Sequence, residues 1–442
     1  MIKHIHTIPS IAIRIILTLV FAVVLVAIIG YARGYRLNTE DTTGSLRGIS
    51  STGIISVSAF PKASKVYING KLKGVTDLNV TLPPGDYKVE VKKEGYTEWQ
   101  KQVKLQGEIV ITLDALLLPK NPSLQSLTNL GIVKAIPYHE ANKIILFSDS
   151  DDEEKDGVYV FDSNSKPLSF YAPLKILILK KYLPDDVDLV NTKVSFSPDL
   201  QQAIFEFPSA SGSSYSYLFS LGEEVTQPFD ISSSKDAILQ TWSTDKSEEV
   251  TKILETFPKE LRPIAVSTFS ILSFSPDQTK VLYQAKEDYE LKPILKTEII
   301  GSNQSVEERS LKKGELYVYD KKEDKNYHFS FDSSMIKSPT PSLSSYRVPT
   351  KPFSLTPTPT VVDILTDKTF PIVWHSDSKH ISVQGEKEIV MVDYDGANKR
   401  TIYSGPFEPG FFFITNSGKL YILTNLNPQN NKYADLYEIG IQ

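Results

Sequence analysis

The spacing of apolar residues changes character three times along the chain. Ile15 to Ile29 reads IILTLVFAVVLVAII, apolar but for Thr18, and the run extends from Ile11 to Tyr31 with Arg14 as its charged residue. A helix spans the hydrocarbon core with about 20 apolar residues. The run therefore predicts a transmembrane helix over residues 11–31, preceded by a short tail over 1–10. Arg14 lies near one end, where its long stem carries the charge to the headgroups. Tyr31, Arg33, Tyr35 and Arg36 form an aromatic and basic collar at the other end. A cleavable signal peptide is the competing reading, with Gly30-Tyr31-Ala32 as a small-x-small site. The apolar run is long for a signal core, and basic residues follow it directly.

Residues 32–53 are largely polar and glycine-bearing, a flexible linker. The period then falls to two. Ile55, Val57 and Ala59 alternate with small residues, and Val66-Tyr67-Ile68 runs into Asn69-Gly70, a strong hairpin signal. Pro83-Pro84-Gly85-Asp86 marks a second turn. Tyr87, Val89 and Val91 alternate after it, Gly95-Tyr96 breaks the strand, and Val103, Leu105, Ile109, Ile111 and Leu113 complete the set. This predicts a β-sandwich of six or seven strands over residues 54–119, near the lower size that folds alone.

The string VSAFPKASKVYINGKLKGVTDLNVTLPPGDYKVEVKKEGYTEW resembles a PEGA domain. Val66, Tyr67, Gly70, Gly74, Thr76, Pro84, Gly85, Tyr87, Gly95 and Tyr96 carry the likeness. The chain departs at the name-giving turn, where Pro61-Lys62-Ala63-Ser64 stands for Pro-Glu-Gly-Ala. Such domains are typically extracytoplasmic modules of membrane-anchored or surface-layer prokaryotic proteins, and they act as spacers or envelope contacts. Positive charge leaves orientation nearly balanced, with Lys3 and Arg14 on one side and Arg33, Arg36 and Arg47 on the other. The resemblance implies a cytoplasmic N-terminus and domains held outside.

From Asn121-Pro122 onward a line of sequence repeats. KVSFSPDLQQAIFEF begins at Lys193, ILSFSPDQTKVLYQA at Ile271 and PIVWHSDSKHISVQG at Pro371. Weaker copies are AIPYHEANKIILFSD from Ala135 and FFFITNSGKLYILTN from Phe411. Each is an apolar strand, a polar turn and a second apolar strand. Further strands follow at Val158–Asp162, Leu316–Asp320 and Ile389–Asp393. A four-stranded antiparallel unit written several times reads as a β-propeller over residues 120–442, and the length gives about six blades. These lines resemble TolB-type, WD-like propeller repeats of bacteria. Two stretches interrupt the pattern. Asp245–Leu261 is helical, with Asp245 and Glu248 as a box-like start and Val250, Ile253, Leu254, Phe257 and Leu261 on one face. Residues 338–360 are rich in Pro, Ser and Thr and predict an extended loop. The whole chain is an all-β protein of roughly three units behind an N-terminal helix.

Composition narrows the chemistry. A net charge of −5 argues against a nucleic-acid partner. There is no cysteine, which removes disulfides, thiolate metal sites and cysteine nucleophiles. The histidines are His4, His6, His139, His328, His375 and His380, and none forms a ligand-spaced pair. No GxSxG elbow, P-loop or dinucleotide fingerprint is present. Ser197-Pro198-Asp199 and Ser275-Pro276-Asp277 recur as turns, the bland reading of what would otherwise be a Ser–Asp pair. Within the acidic run Asp149, Asp151, Asp152, Glu153, Glu154 and Asp156, the residues Asp152, Glu154, Asp156 and Gly157 mimic the first half of a calcium loop. Position twelve is Ser163, however, where a bidentate Glu is wanted. A solvated hairpin tip is the simpler reading. Tyr215, Tyr217, Trp242 and Trp374 are aromatic candidates for ligand contact that core packing explains as well. The sequence thus names no catalytic, cofactor-binding or metal residue.

The expectation is a single-pass membrane protein, not an enzyme, whose propeller binds a protein or an envelope polymer outside the cell. A propeller-channel enzyme of lactonase or lyase type is the alternative, as is a ligand sensor acting through the helix.

Overall fold

The structure, a computed structural model, describes residues 10–32, 36–37, 49–150, 152–164, 173–297, 299–330, 372–415, 417–429 and 432–441. The expected tail up to residue 9, most of the linker and the Pro/Ser/Thr-rich stretch 338–360 lie outside the described residues. The chain divides into two compact units. One is Met1–Lys120 with Glu298–Gln304, and the other is Asn121–Thr297 with Ser305–Gln442.

Helix α1, Ser10–Ala32, is 23 residues long, about 34 Å at 1.5 Å per residue. Its window Arg14–Ala32 buries none of its surface in the protein. The predicted run is therefore one helix, long and apolar enough to cross a membrane.

The small β-domain is a sandwich of three and four strands. One sheet has the order Leu78–Leu82, Gly53–Phe60, Val110–Leu116. Gly53–Phe60 and Val110–Leu116 run parallel, with Ile55 opposite Ile111. The other sheet is antiparallel, in the order Lys71–Val75, Lys65–Ile68, Gly85–Lys92, Trp99–Leu105. The period-two pattern has its physical reason here: Ile55, Val57, Val66, Val89, Val91, Trp99 and Ile111 point inward into one core. Each such side chain contributes about 1.5–3 kcal/mol through burial. Asn69 and Gly70 both have positive φ, 49° and 75°, as the tight hairpin turn requires.

The turn that departs from Pro-Glu-Gly-Ala keeps its shape at a cost. Ala63, standing where that motif has glycine, is held at φ 56°. The turn is tied by Ser64 Oγ donating to the Pro61 carbonyl at 2.6 Å and by the Ser64 amide donating to Thr76 Oγ1 at 3.1 Å. A left-handed alanine costs about 1–2 kcal/mol, offset in part by the chain entropy that glycine would lose. Ala63→Gly is expected to stabilise this domain by about 0.5–1 kcal/mol, read as a higher denaturant midpoint with an unchanged slope. A lower midpoint would show that the turn carries no such strain.

The second unit is a β-propeller. Four sheets follow chain order: the first blade (Ile132–Tyr138, Lys143–Ser148, Gly157–Asp162, Leu174–Leu179), the second (Lys193–Phe196, Gln202–Pro208, Ser214–Ser220), the third (Phe269–Phe274, Lys280–Ala285, Leu316–Asp320, Lys325–His328) and the fourth (Ile372–Trp374, His380–Gln384, Ile389–Asp393, Arg400–Tyr403). The fifth contains Phe412–Ile414, Lys419–Thr424 and Asp435–Gly440, and takes its outer strand, Leu124–Ser126, from the start of the unit. Apolar cores lie between neighbouring blades. Phe147 of the first meets Phe205 of the second, Ile144 and Tyr159 of the first meet Phe413 and Tyr421 of the fifth, and Val318 of the third meets Val383 of the fourth. The described residues thus form five blades, where length had predicted about six. Much of the extra length lies in two excursions, the helical one after the second blade and residues 286–315 within the third.

The helical excursion is longer than expected and broken. Helix α2 is Lys235–Leu254 and helix α3 is Leu261–Thr268. Of the predicted stripe, Val250, Leu254, Phe257 and Leu261 are buried in one cluster with Phe269 and Tyr283 of the third blade, Ile253 packs partly buried against it, and Ala265 of α3 adds to it. Pro258 lies in the break between the helices, where it cannot supply an interior amide. The weakly amphipathic start of α2 carried no signal that would have extended the prediction upstream.

All five blades share one turn. The amides of Asn142, Leu200, Gln278, Ser378 and Gly418 donate to the carbonyls three residues back, those of His139, Ser197, Ser275, His375 and Thr415. Each of the five donors has positive φ, between 52° and 71°. In the second and third blades the serine hydroxyl donates to the aspartate two residues on, at 2.5 Å for Ser197–Asp199 and 2.7 Å for Ser275–Asp277. The same hydroxyl accepts the amide of Gln202 or Lys280 at 2.9 Å. The recurring Ser-Pro-Asp is therefore a turn lock. Burial works against ionisation of Asp277, but the hydrogen bonds from Ser275 and Thr279 outweigh it and lower its pKa to about 2.

Candidate binding face

Antiparallel blades sort their connections to two ends. First-to-second and third-to-fourth turns share one end; second-to-third loops and blade-to-blade links share the other. The shared turn occupies the first end. From the second end depart residues 149–156, 180–192, 209–213, 286–315 and 425–434, whereas the excursion after the three-stranded second blade leaves the turn end, where the Leu221 amide donates to the Gln201 carbonyl at 2.9 Å. Loops raised on a rigid scaffold are where recognition usually resides.

The loop end holds a cleft of about 390 Å³ between the first and second blades, lined by Asp149, Lys180, Asp185, Asp186, Asp188 and Ser209 among others. Three segments build it. The amide of Asp188 donates to the Pro208 carbonyl at 2.8 Å, and the amide of Ala210 to the Asp186 carbonyl at 3.2 Å, which joins the blade link to the second-blade loop. Ser209 Oγ donates to Asp186 Oδ2, and Tyr215 OH donates to Oδ1 of the same residue at 3.4 Å. Asp188 accepts from the Asn191 side chain at 2.6 Å and from the amides of Val190 and Asn191. These bonds lower its pKa, the Asn191 side chain first. Lys180 Nζ stands 3.2 Å from Asp156 and 3.9 Å from Asp149. Burial still raises the Asp156 pKa, ahead of the opposing Lys180. Tyr433 OH reaches Asp149 Oδ2 at 2.9 Å from the fifth blade.

The cleft is an acidic, hydrogen-bonded surface suited to contact with donor-rich groups. Ser209 is bonded to Asp186 and Ser211, and no histidine stands beside them in this network to act as a base.

The acidic run lies at this same end. Asp152 pairs with Lys155 at 3.5 Å and Glu154 with Lys181 at 2.7 Å, as a charged hairpin tip would. Among the described residues, which leave out Asp151, no group of three or more histidine, cysteine or acidic side chains could hold a metal ion. Of the aromatic candidates, Tyr217 and Trp374 are buried, while Tyr215 and Trp242 are half-buried. His375 and His380 are brought together, with ring centroids 6.4 Å apart. Sequence reasoning missed two features. The Asp185-Asp186-Val187-Asp188 link is a short acidic run visible in the chain. The carboxylate that joins the two histidines needs the blade register to be seen.

The fold defines a β-propeller joined in sequence to a small β-sandwich and an apolar helix. Residues 52–121, which hold the sandwich, match the PEGA domain. No curated protein matches the chain. Among solved structures, a protein described as TolB from Agrobacterium tumefaciens is 11% identical, with 74% of each chain covered and a TM-score of 0.20. TolB from Acinetobacter baumannii is 12% identical, with 80% of this chain and 59% of that one covered and a TM-score of 0.19. The β-propeller domain of the Trilobed protease from Pyrococcus furiosus is 10% identical, with 88% and 93% covered and a TM-score of 0.19. The propeller assignment rests on the five sheets themselves.

Proposed function

We propose that this is a single-pass, membrane-anchored binding or scaffold protein whose propeller meets a protein or envelope-polymer partner outside the cytoplasm. The observation that carries the reading is the acidic cleft at the loop end, built by three segments of the first and second blades away from the locked turns; the two longest excursions run back along the ring, Leu295 reaching Asp324 and Thr256 reaching Lys321 at the turn end. Helix α1, whose side chains from Ile15 to Ile29 are exposed and, but for Thr18, apolar, supports the anchor. The PEGA domain supports an extracytoplasmic placement. Binding rather than catalysis is favoured because the Ser–Asp pairs serve as turn locks and are not held ready for a substrate.

Two measurements test this. A reporter active only outside the cytoplasm, fused after residue 442, should give signal, whereas signal from a cytoplasm-only reporter would overturn the placement. For the face, a photo-crosslinking residue is placed in cells at Val190 or Leu426 of the loop end (49% and 46% exposed), and at Gln278 or Lys379 of the turn end. Adducts are expected from the loop-end pair. Adducts confined to the turn-end pair would reverse the assignment.

A further inference from the structure

The fourth blade departs from the shared lock in a way that introduces a proton-binding group. His375 occupies the position of Ser197 and Ser275, fixed by the same amide-to-carbonyl bond from Ser378 at 3.0 Å. An imidazole cannot reproduce the serine's two short bonds. His375 is 2% exposed, and neither ring nitrogen has a hydrogen-bond partner. Its Nδ1 lies 3.7 Å from Asp377 Oδ2. That oxygen is already taken by His380 Nδ1 at 2.6 Å. The other nitrogen of His380 faces Asp393 Oδ1 at 3.4 Å, and Arg400 Nη2 reaches the same oxygen at 3.3 Å. A chain of charges, Asp377–His380–Asp393–Arg400, therefore binds the turn to the second, third and fourth strands of its blade. His375 stands at its open end.

We propose that the fourth-blade turn is a proton-responsive element, in which protonation of His375 sets a second imidazolium against Asp377 and loosens the His380–Asp377 bond that holds the turn to the blade. The groups that bear on His375 are Asp377 and His380, both of its own turn. The third-blade turn meets this one through the Asp277 amide and Ser378 Oγ, at 3.0 Å, and its charged neighbours Lys280 and Lys322 are engaged with Asp320 and Asp277. Burial is the largest influence on His375 and holds its pKa below the ordinary imidazole value, against the pull of Asp377. A histidine with a depressed folded pKa is fully accommodated above its unfolded value, near 6.5, and opposes the fold as pH falls below it. The second and third blades, with serine in this place, have no such group.

Hydrogen exchange on the full chain in detergent micelles tests the proposal. Rates are corrected for intrinsic exchange at about pH 7.5 and about pH 5.5, and protection over 372–403 is expressed relative to 269–285 of the third blade. The wild-type ratio is expected to fall by up to about tenfold per pH unit below about pH 6.5, where the opened turn takes up a proton on His375 that the closed turn resists. In His375→Ser the ratio should be constant. If that variant fails to fold, His375→Asn, which cannot take a proton, gives the same reading. A wild-type ratio unchanged between the two pH values, or an equal fall in the folded variants, would overturn the proposal.

Discussion

Replacing Asp435 with alanine is expected to destabilise the propeller by about 3–5 kcal/mol, the largest effect of any single truncation considered for this ring. Asp435 is buried, and its Oδ1 accepts from Thr128 Oγ1 at 3.0 Å, from the Leu130 amide at 2.8 Å and from the Gly131 amide at 3.4 Å. Thr128 Oγ1 in turn accepts the Leu436 amide at 2.9 Å. These bonds tie the link after the outer strand Leu124–Ser126 to the fifth blade. Alanine leaves the buried Thr128 hydroxyl and the half-buried Leu130 and Gly131 amides without this acceptor, and buried donors left unpaired cost more than the bonds contribute when made. Asp435→Asn keeps an acceptor oxygen and should recover part of the loss. Denaturant unfolding followed by a propeller signal reads both variants. A loss below about 1 kcal/mol for the alanine would mean that strand pairing alone closes the ring.

The second large effect is a loss of propeller stability under alkaline conditions. Burial disfavours the charged form of His380, but Asp377 and Asp393 on its two nitrogens outweigh this and raise its pKa to about 9. A histidine with a raised folded pKa contributes its full stability below the unfolded value near 6.5. The contribution fades above that and is gone once pH has risen past about 9. The interval corresponds to something on the order of 3 kcal/mol. His380→Gln should therefore be less stable at neutral pH and lack this alkaline decline. Stability measured between about pH 6.5 and about pH 9.5 decides it; a flat wild-type profile would show that the imidazole is not held charged. This alkaline effect and the acid response proposed for His375 lie on opposite sides of neutrality, so one titration series separates them.

Local pattern made most of the fold legible. The alternation at Ile55, Val57, Val89 and Val91 required a half-buried strand, and the Asn69-Gly70 pair required a tight turn. Both depend on a few consecutive residues. The propeller repeats were readable for the same reason, even in the weak copies at Ala135 and Phe411, because each turn is closed within its own strand pair. Blade number was less legible, since it depends on how length is divided between strands and excursions. Helix α2 began earlier than its apolar stripe, because its first residues bury little and leave no periodic mark. The candidate face was the least legible part. Asp186 sits on the link between the first two blades and Ser209 on a loop of the second, and Asp377 gains its meaning only when His375 and His380 are folded back across it. Such clusters arise from register and ring closure, which no short window of sequence records.

The ring closure also has a consequence in time. Thr128 and Asp435, which meet at the seam, are 307 residues apart in the chain. A chain growing from its N-terminus has made the outer strand Leu124–Ser126 long before its partner strand Asp435–Gly440 exists. The PEGA domain, whose paired strands all lie between Gly53 and Leu116, can complete its own sheets while the propeller is still being made. That early strand meanwhile waits as an unpaired edge, of the kind that invites pairing with a wrong neighbour. It is short, and Pro122 precedes it closely, which limits the backbone it can offer before its partner arrives. The order of synthesis thus builds the small domain first and leaves the propeller's join until its closing strand, Asp435–Gly440, has been made.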